Sequence, residues 1–202
     1  MNAKELLLIL REIKDVSFSS VDNSGNPKCR IIDIMLIEDE CLYFLTARGK
    51  DFYRELMENN HVAVTALTKN FESIRLEGKA IKVGDNKYYL DKIFECNPAM
   101  NEVYPGDSRN ILDVFCIDKG IIEYFDLSKH PIYRQTLAFG GEKIKDKGYF
   151  INETCINCKK CFNLCPQSAI YELNGIMNIK NENCLHCGLC YENCPVKAVE
   201  RW

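Results

Sequence analysis

The chain of 202 residues is 47% hydrophobic and 27% charged, enough for one ordinary domain with its own core plus a smaller one. A net charge of −3 gives no reason to expect nucleic acid or an anionic membrane as a partner, and no apolar run approaches the ~18 residues that cross a bilayer. The opening MNAKELLLILREIKD has neither a basic leader nor a small-residue cleavage site, so it is expected to be an amphipathic helix in a reducing, cytoplasmic protein.

In chain order, residues 2–14 place Leu6, Leu7, Leu10 and Ile13 on one helical face. SFSSVD follows as a strand and NSGNP as a turn cluster. Residues 28–38 are expected to form one long strand, with CLYFLT from Cys41 as its partner across an acidic turn. Residues 47–50 form a basic loop, and DFYRELMENN from Asp51 a helix. HVAVTALT and SIRLEGKAIKVG are strands rich in β-branched residues. Residues 87–95 look helical and end before Pro98; NILDVFCID and GIIEYFDL are closing strands that turn at Gly120. Residues 128–140 show no clear periodicity, and residues 141–147 are a polar, charged linker. Short strands with few helices argue for a small β-barrel. No G-x-G-x-x-G occurs, so a nucleotide would bind in some way other than a Rossmann crevice.

The strongest signal is in the last quarter. CINCKKCFNLCP starts at Cys155, CLHCGLCYENCP starts 29 residues later at Cys184, and each is C-x2-C-x2-C-x3-C-P. Three thiolates on a tight loop suit three irons of one cubane, and the proline after the fourth cysteine turns the chain away. Zinc uses paired C-x2-C units and needs neither the third cysteine nor the C-P; disulfides need an oxidising compartment. Residues 148–202 resemble the bacterial two-[4Fe-4S] ferredoxin module and match it at all eight ligand positions. The resemblance implies crossed ligation. Cys155, Cys158, Cys161 and Cys194 would hold one cluster, and Cys184, Cys187, Cys190 and Cys165 the other, with each fourth cysteine beginning a short helix. Between the runs, SAIYELNGIMNI is a hairpin turning at Asn174 and Gly175. Cys29, Cys41, Cys96 and Cys116 lack ligand spacing and are expected to be mostly buried.

The order of elements over residues 1–140 carries a second resemblance. G-x-P-x-x-R at Gly25, Pro27 and Arg30 is followed by LYFLT ending at Thr46, the basic loop, a helix, NN-x-VAV, LEGKA and VFCIDKGIIEYFDL. This resembles the pyridoxamine-5′-phosphate-oxidase-like FMN-binding split barrel. The resemblance implies a mainly β fold with helices (α+β) that forms a homodimer with FMN in its interface. Arg30 and Lys50 would hold the phosphate, Thr46 would donate its hydroxyl and Arg48 would assist. The backbone around Ile31, Ile32 and Ala47 would meet the isoalloxazine edge. A dianionic phosphate does need fixed cations, and the helix from Asp51 offers open N–H groups beside Lys50. The plain alternatives are a solvated loop for Arg48 and Lys50 and an ordinary exposed strand position for Arg30. Arg75, Tyr104 and Arg134 are weaker candidates for contact with a flavin. His61, His130 and His186 are expected to be structural or exposed rather than catalytic.

Joined in one chain, the domains (1–140 and 148–202) imply an iron–sulfur flavoprotein. It would pass electrons between two [4Fe-4S] clusters and FMN, exchange them with an external donor or acceptor, and reduce a small-molecule substrate. The alternatives are a pure electron-transfer protein and a vitamin B6 oxidase-like enzyme, in which the cysteine module would have no purpose.

Overall fold

The computed structural model describes residues 1–145 and 147–202; Asp146 of the expected linker lies outside the described residues. By internal packing the chain divides into a first unit, Met1–Glu123 with Thr136–Lys143, and a second, Tyr124–Gln135 with Ile144–Trp202.

The first unit opens with α1 (Ala3–Ile13), capped by a reciprocal pair: Glu5 N–H donates to Asn2 Oδ1 and Asn2 N–H to Glu5 Oε2, each at 2.8 Å. Its apolar stripe buries Leu6, Leu7 and Leu10 completely. Strands β1 (Asp15–Val21) and β2 (Pro27–Asp33) form an antiparallel hairpin. Then come β3 (Leu36–Glu38), β4 (Cys41–Ala47), α2 (Asp51–Glu58), β5 (His61–Leu67), β6 (Glu72–Lys79), β7 (Ile81–Lys82), α3 (Asn86–Cys96), α4 (Met100–Val103), β8 (Leu112–Ile117), β9 (Gly120–Asp126) and β10 (Tyr133–Phe139). They build a six-stranded sheet, β10-β9-β6-β5-β1-β2, and a four-stranded sheet, β3-β4-β8-β7. Aromatic side chains join the sheets: Phe18 of β1 meets Phe44 of β4 with ring centroids 4.7 Å apart, and Phe44 meets Phe115 of β8 at 5.8 Å. Each buried phenyl ring contributes about 1.5–3 kcal/mol of transfer free energy.

Two strands expected to be continuous are divided between the sheets. Residues 28–38 give β2 and β3, broken at Ile34 and Met35, which are 0% and 5% exposed. Adjacent buried residues mark the break, because a strand with one wet face alternates. The Ile34 N–H bonds to Lys14 O and the Met35 N–H to Tyr43 O, so the backbone changes partners there. SIRLEGKAIKVG likewise becomes β6 and β7 on either side of Ala80, which is 2% exposed. Strand β10 was hidden in the sequence because Tyr133 to Ala138 are all half-buried and their apolar residues do not alternate.

In the second unit, β11 (Tyr149–Ile151) pairs with β14 (Val199–Arg201), and β12 (Ile170–Leu173) with β13 (Ile176–Ile179). The Asn174-Gly175 turn has φ of 55° and 80°, the left-handed pair that an Asn-Gly hairpin needs. Helices α5 (Lys160–Leu164) and α6 (Leu189–Glu192) lie 29 positions apart at their starts. The fourth cysteine of each run follows its short helix rather than beginning it. Cys165 is the extended C-cap of α5, and Cys194 lies beyond Asn193, the C-cap of α6. The prolines at 166 and 195 disfavour the helical conformation at the residue before them.

Candidate cofactor sites: two cysteine cavities and a cationic corner

The repeat is visible residue by residue. Left-handed backbone recurs at Asn157 and His186, Lys159 and Gly188, and Ser168 and Lys197, each pair 29 apart. The Ala169 N–H bonds to Cys165 Sγ at 3.3 Å, and the Ala198 N–H to Cys194 Sγ at 3.2 Å. Each half therefore bends its cysteine loop around a cavity. One cavity is lined by Cys184, Cys187 and Cys190 with Cys165, the other by Cys155, Cys158 and Cys161 with Cys194. The fold thus gathers the cysteines in crossed sets, the fourth member of each coming from the other run. Four cysteines spread around each cavity suit the four irons of one cubane cluster.

Burial pushes the thiols of Cys161 and Cys184 up, and that of Cys190 to about 11. Burial acts in the same direction on Cys194, but the backbone N–H groups of Val196, Ala198, Val199 and Lys197 outweigh it, and that thiol lies below its ordinary value. Metal binding to such a site displaces protons, so assembly is coupled to pH. The segment Tyr124–Gln135 packs with this unit. Gln167 Oε1 accepts from the Ile132 N–H at 2.9 Å, Asn183 Nδ2 donates to Ile132 O at 2.8 Å, and Arg134 NH1 lies 3.0 Å from His186 Nδ1.

The first unit carries a cationic corner where β4 runs into α2. Thr46 is 3% exposed and its hydroxyl has no hydrogen-bond partner among the described residues. Lys50 is the N-cap of α2 and is exposed, with no ion pair among the described residues. No side chain caps this helix, so its first N–H groups remain open to an anion. Arg48 is anchored: NH1 reaches Asp113 Oδ1 at 3.1 Å and NH2 the carbonyl of Asn110 at 2.6 Å. Asp113, paired across the ladder with Thr46 and 3% exposed, also takes Lys82 Nζ at 2.7 Å and Tyr53 OH at 2.9 Å. Burial raises the Asp113 carboxyl, yet the hydrogen bonds from Lys82 and Tyr53 and the nearby positive charges leave it below the ordinary aspartate value.

Arg30 is also engaged. Its guanidinium lies 4.4 Å over the Phe52 ring, with NH1 donating to Ser20 Oγ at 2.6 Å and NH2 to Glu55 Oε2 at 2.7 Å. Sequence reading missed Glu55, although a signal was present: a carboxylate three residues after Phe52 and next to Leu56 falls on the buried stripe of α2, where a charge requires a partner. Ile31 is 65% exposed, and Ile32 and Ala47 are half-buried. In register on the outer face of β2, β1 and β5 lie Ile31, Ser17 and Thr65, then Cys29, Ser19 and Ala63, a patch of mostly small side chains. Arg75 faces Glu123 at 3.5 Å, and Tyr104 packs on the core beside α3. His61 is exposed and bonded to Asn59, and His130 is exposed. None of the other four cysteines is buried: Cys29 and Cys96 are exposed and Cys41 and Cys116 intermediate. Cys29 lies on an edge strand and Cys96 at the last turn of α3.

A split flavin-type barrel followed by an iron–sulfur module defines a redox or electron-transfer class of protein. A family model described as pyridoxamine 5′-phosphate oxidase matches residues 3–104, and one described as a 4Fe-4S dicluster domain matches residues 147–195. The first spans half of the chain, and the protein belongs to the pyridoxamine 5′-phosphate oxidase family. Solved structures share its fold. A NimC/NimA family protein from Clostridium acetobutylicum superposes with a TM-score of 0.60 at 18% identity, over 68% of this chain and 92% of its own. A protein related to general stress protein 26, from the same organism, gives 0.51 at 15% identity over 66% and 94%. General Stress Protein 26 of Bacillus anthracis gives 0.50 at 22% over 61% and 94%. No curated protein matches the chain by sequence. No helix among the described residues is long and apolar enough to cross a membrane.

Proposed function

We propose that this protein is a cytoplasmic iron–sulfur flavoprotein oxidoreductase that carries two [4Fe-4S] clusters and FMN and uses them to reduce a small molecule with electrons from an external donor. The observation that carries the reading is the pair of crossed four-cysteine cavities in a chain whose other domain is of the FMN-binding type. When bound, the clusters would supply one-electron steps and the flavin one- or two-electron steps. The residues fit that cargo. Cys155, Cys158, Cys161 and Cys194 would hold one cluster, and Cys165, Cys184, Cys187 and Cys190 the other. In the barrel, the Lys50 ammonium is exposed and would meet a phosphate, the buried Thr46 hydroxyl has no partner among the described residues, and Asp113 holds Arg48, two positions along the chain from each. Arg30 has N–H groups beyond those given to Ser20 and Glu55, and the pair fixes where they point. The mostly small side chains of the outer sheet face suit a planar ring system covered by a second copy of the chain, the homodimer expected of the fold.

The test is anaerobic rapid mixing of the oxidised, loaded protein with a one-electron reductant that reacts mainly at the cysteine module. Flavin absorbance should bleach at a rate independent of protein concentration. A rate that rises with concentration, or clusters reduced while the flavin stays oxidised, would overturn intramolecular transfer. Saturation of turnover by a nitro, flavin or quinone acceptor supports the enzyme; bimolecular exchange alone supports a pure electron carrier.

A further inference from the structure

The two halves of the cysteine module are copies offset by 29 positions, so each serves as a control for the other. Basic and acidic residues balance across residues 148–202, but lysine is not shared equally between the copies. Lys159 and Lys160 of the first copy stand where the second has Gly188 and Leu189, whereas Lys197 of the second copy stands where the first has Ser168, and Glu192 where the first has Asn163; crossed ligation puts Lys197, next to Val196, at the Cys155–Cys194 cavity. Lys159 lines the Cys155–Cys194 cavity beside Ile156 and Val196. Ile156 is 62% and Val196 38% exposed, with Phe162 nearby in sequence at 47%. Lys159 is bonded to Glu172 at 2.9 Å; Lys160 and Lys197 are exposed and have no acidic partner among the described residues. Glu153, just before the first cysteine, is the other acid of this stretch. The Cys155–Cys194 end thus joins exposed apolar side chains to exposed lysines, whereas at the Cys184 end the cation beside the loop is Arg134, half-buried against His186, with Arg201 near the same ring.

A small apolar centre with a charged rim suits a transient complex in which charge steers encounter and turnover stays fast. We propose that the end of the module formed by Cys155, Cys158, Cys161 and Cys194 is the docking surface for an acidic one-electron carrier protein, with Lys160 and Lys197 steering it onto Ile156 and Val196. One electron leaves the reduced carrier and one is gained by the module; no proton or bond moves. The proposal rests on the iron–sulfur reading above.

The experiment uses the full chain, loaded and oxidised, mixed anaerobically with a reduced, strongly acidic flavodoxin as the probe. Dithionite serves as a small reductant that needs no docking. The second-order rate with flavodoxin should fall about tenfold or more in the double variant Lys160→Glu, Lys197→Glu at low salt. The difference should vanish near about 0.5 M salt, where screening is short-ranged. Affinity for the oxidised flavodoxin, measured by titration calorimetry, should fall in parallel, while Lys69→Glu on the β5–β6 turn changes neither. Equal flavodoxin rates in wild type and double variant, with dithionite still reducing both, would overturn the docking surface and leave the redox reading standing. Failure of dithionite to reduce the cysteine module would remove the redox reading, and the docking proposal with it.

Discussion

Lys50→Ala separates the two cations first expected to hold a phosphate. Lys50 is exposed at the N-cap of α2 and has no ion pair among the described residues, so its removal leaves no partner stranded. A charge-assisted contact is worth about 1.5–3 kcal/mol, which at about 1.4 kcal/mol per decade is roughly 10- to 150-fold in FMN affinity. Riboflavin lacks the phosphate and should bind as before, and urea stability should be unchanged. Arg30→Ala should behave differently. Its partner Glu55 has an 8% exposed side chain, while that of Arg30 is 24% exposed. Removing one member of a buried pair costs about 3–5 kcal/mol, and the partial exposure of Arg30 lowers this to about 2–4. Arg30→Ala should therefore lose stability and weaken both ligands. Flavin fluorescence titrations with FMN and riboflavin, beside urea unfolding, read both effects. Equal loss of FMN and riboflavin in Lys50→Ala would refute the placement of the phosphate at the head of α2.

Cys165→Ser should perturb the cluster held by Cys184, Cys187 and Cys190 and largely spare the paramagnetic signal of the other; the reverse outcome in electron paramagnetic resonance would mean that each run serves its own cluster. Asp113 lies below the ordinary aspartate value, since the hydrogen bonds and charges around it outweigh its burial. A depressed carboxyl stabilises the fold above its unfolded pKa and loses that contribution as pH falls through the folded one. The acid limb of stability below about pH 4 should therefore flatten in Asp113→Asn, and an unchanged limb would remove Asp113 from it. Gly140 has φ 62°, and a Cβ there would lie 2.0 Å from the Asp118 carbonyl. Gly140→Ala should cost more than about 2 kcal/mol in denaturant titration, whereas Gly49→Ala, with open space around it, should cost little.

What was legible in the sequence was what local chemistry dictates. The cysteine runs fix their own loops by spacing, the Asn-Gly pair fixes its turn, and the helix at Ala3–Ile13 announces itself by its apolar stripe. What escaped depends on distant partners. Nothing within residues 28–38 says that the chain changes sheets at Ile34, because that follows from bonds to Lys14 and Tyr43. Nor does the local sequence around Arg30 and Arg48 reveal Glu55 and Asp113, 25 and 65 positions away, which fix where the two guanidiniums sit. No such partner reaches the exposed Lys50 ammonium or the buried Thr46 hydroxyl among the described residues.

The central claim is that one chain carries both kinds of redox centre, and the content of protein purified without oxygen tests it most directly. The account predicts about eight irons and eight sulfides per chain, one FMN per chain, and broad brown absorption with flavin bands beneath it. Two zinc ions per chain without the brown absorption, or a full complement of iron with no flavin, would contradict it.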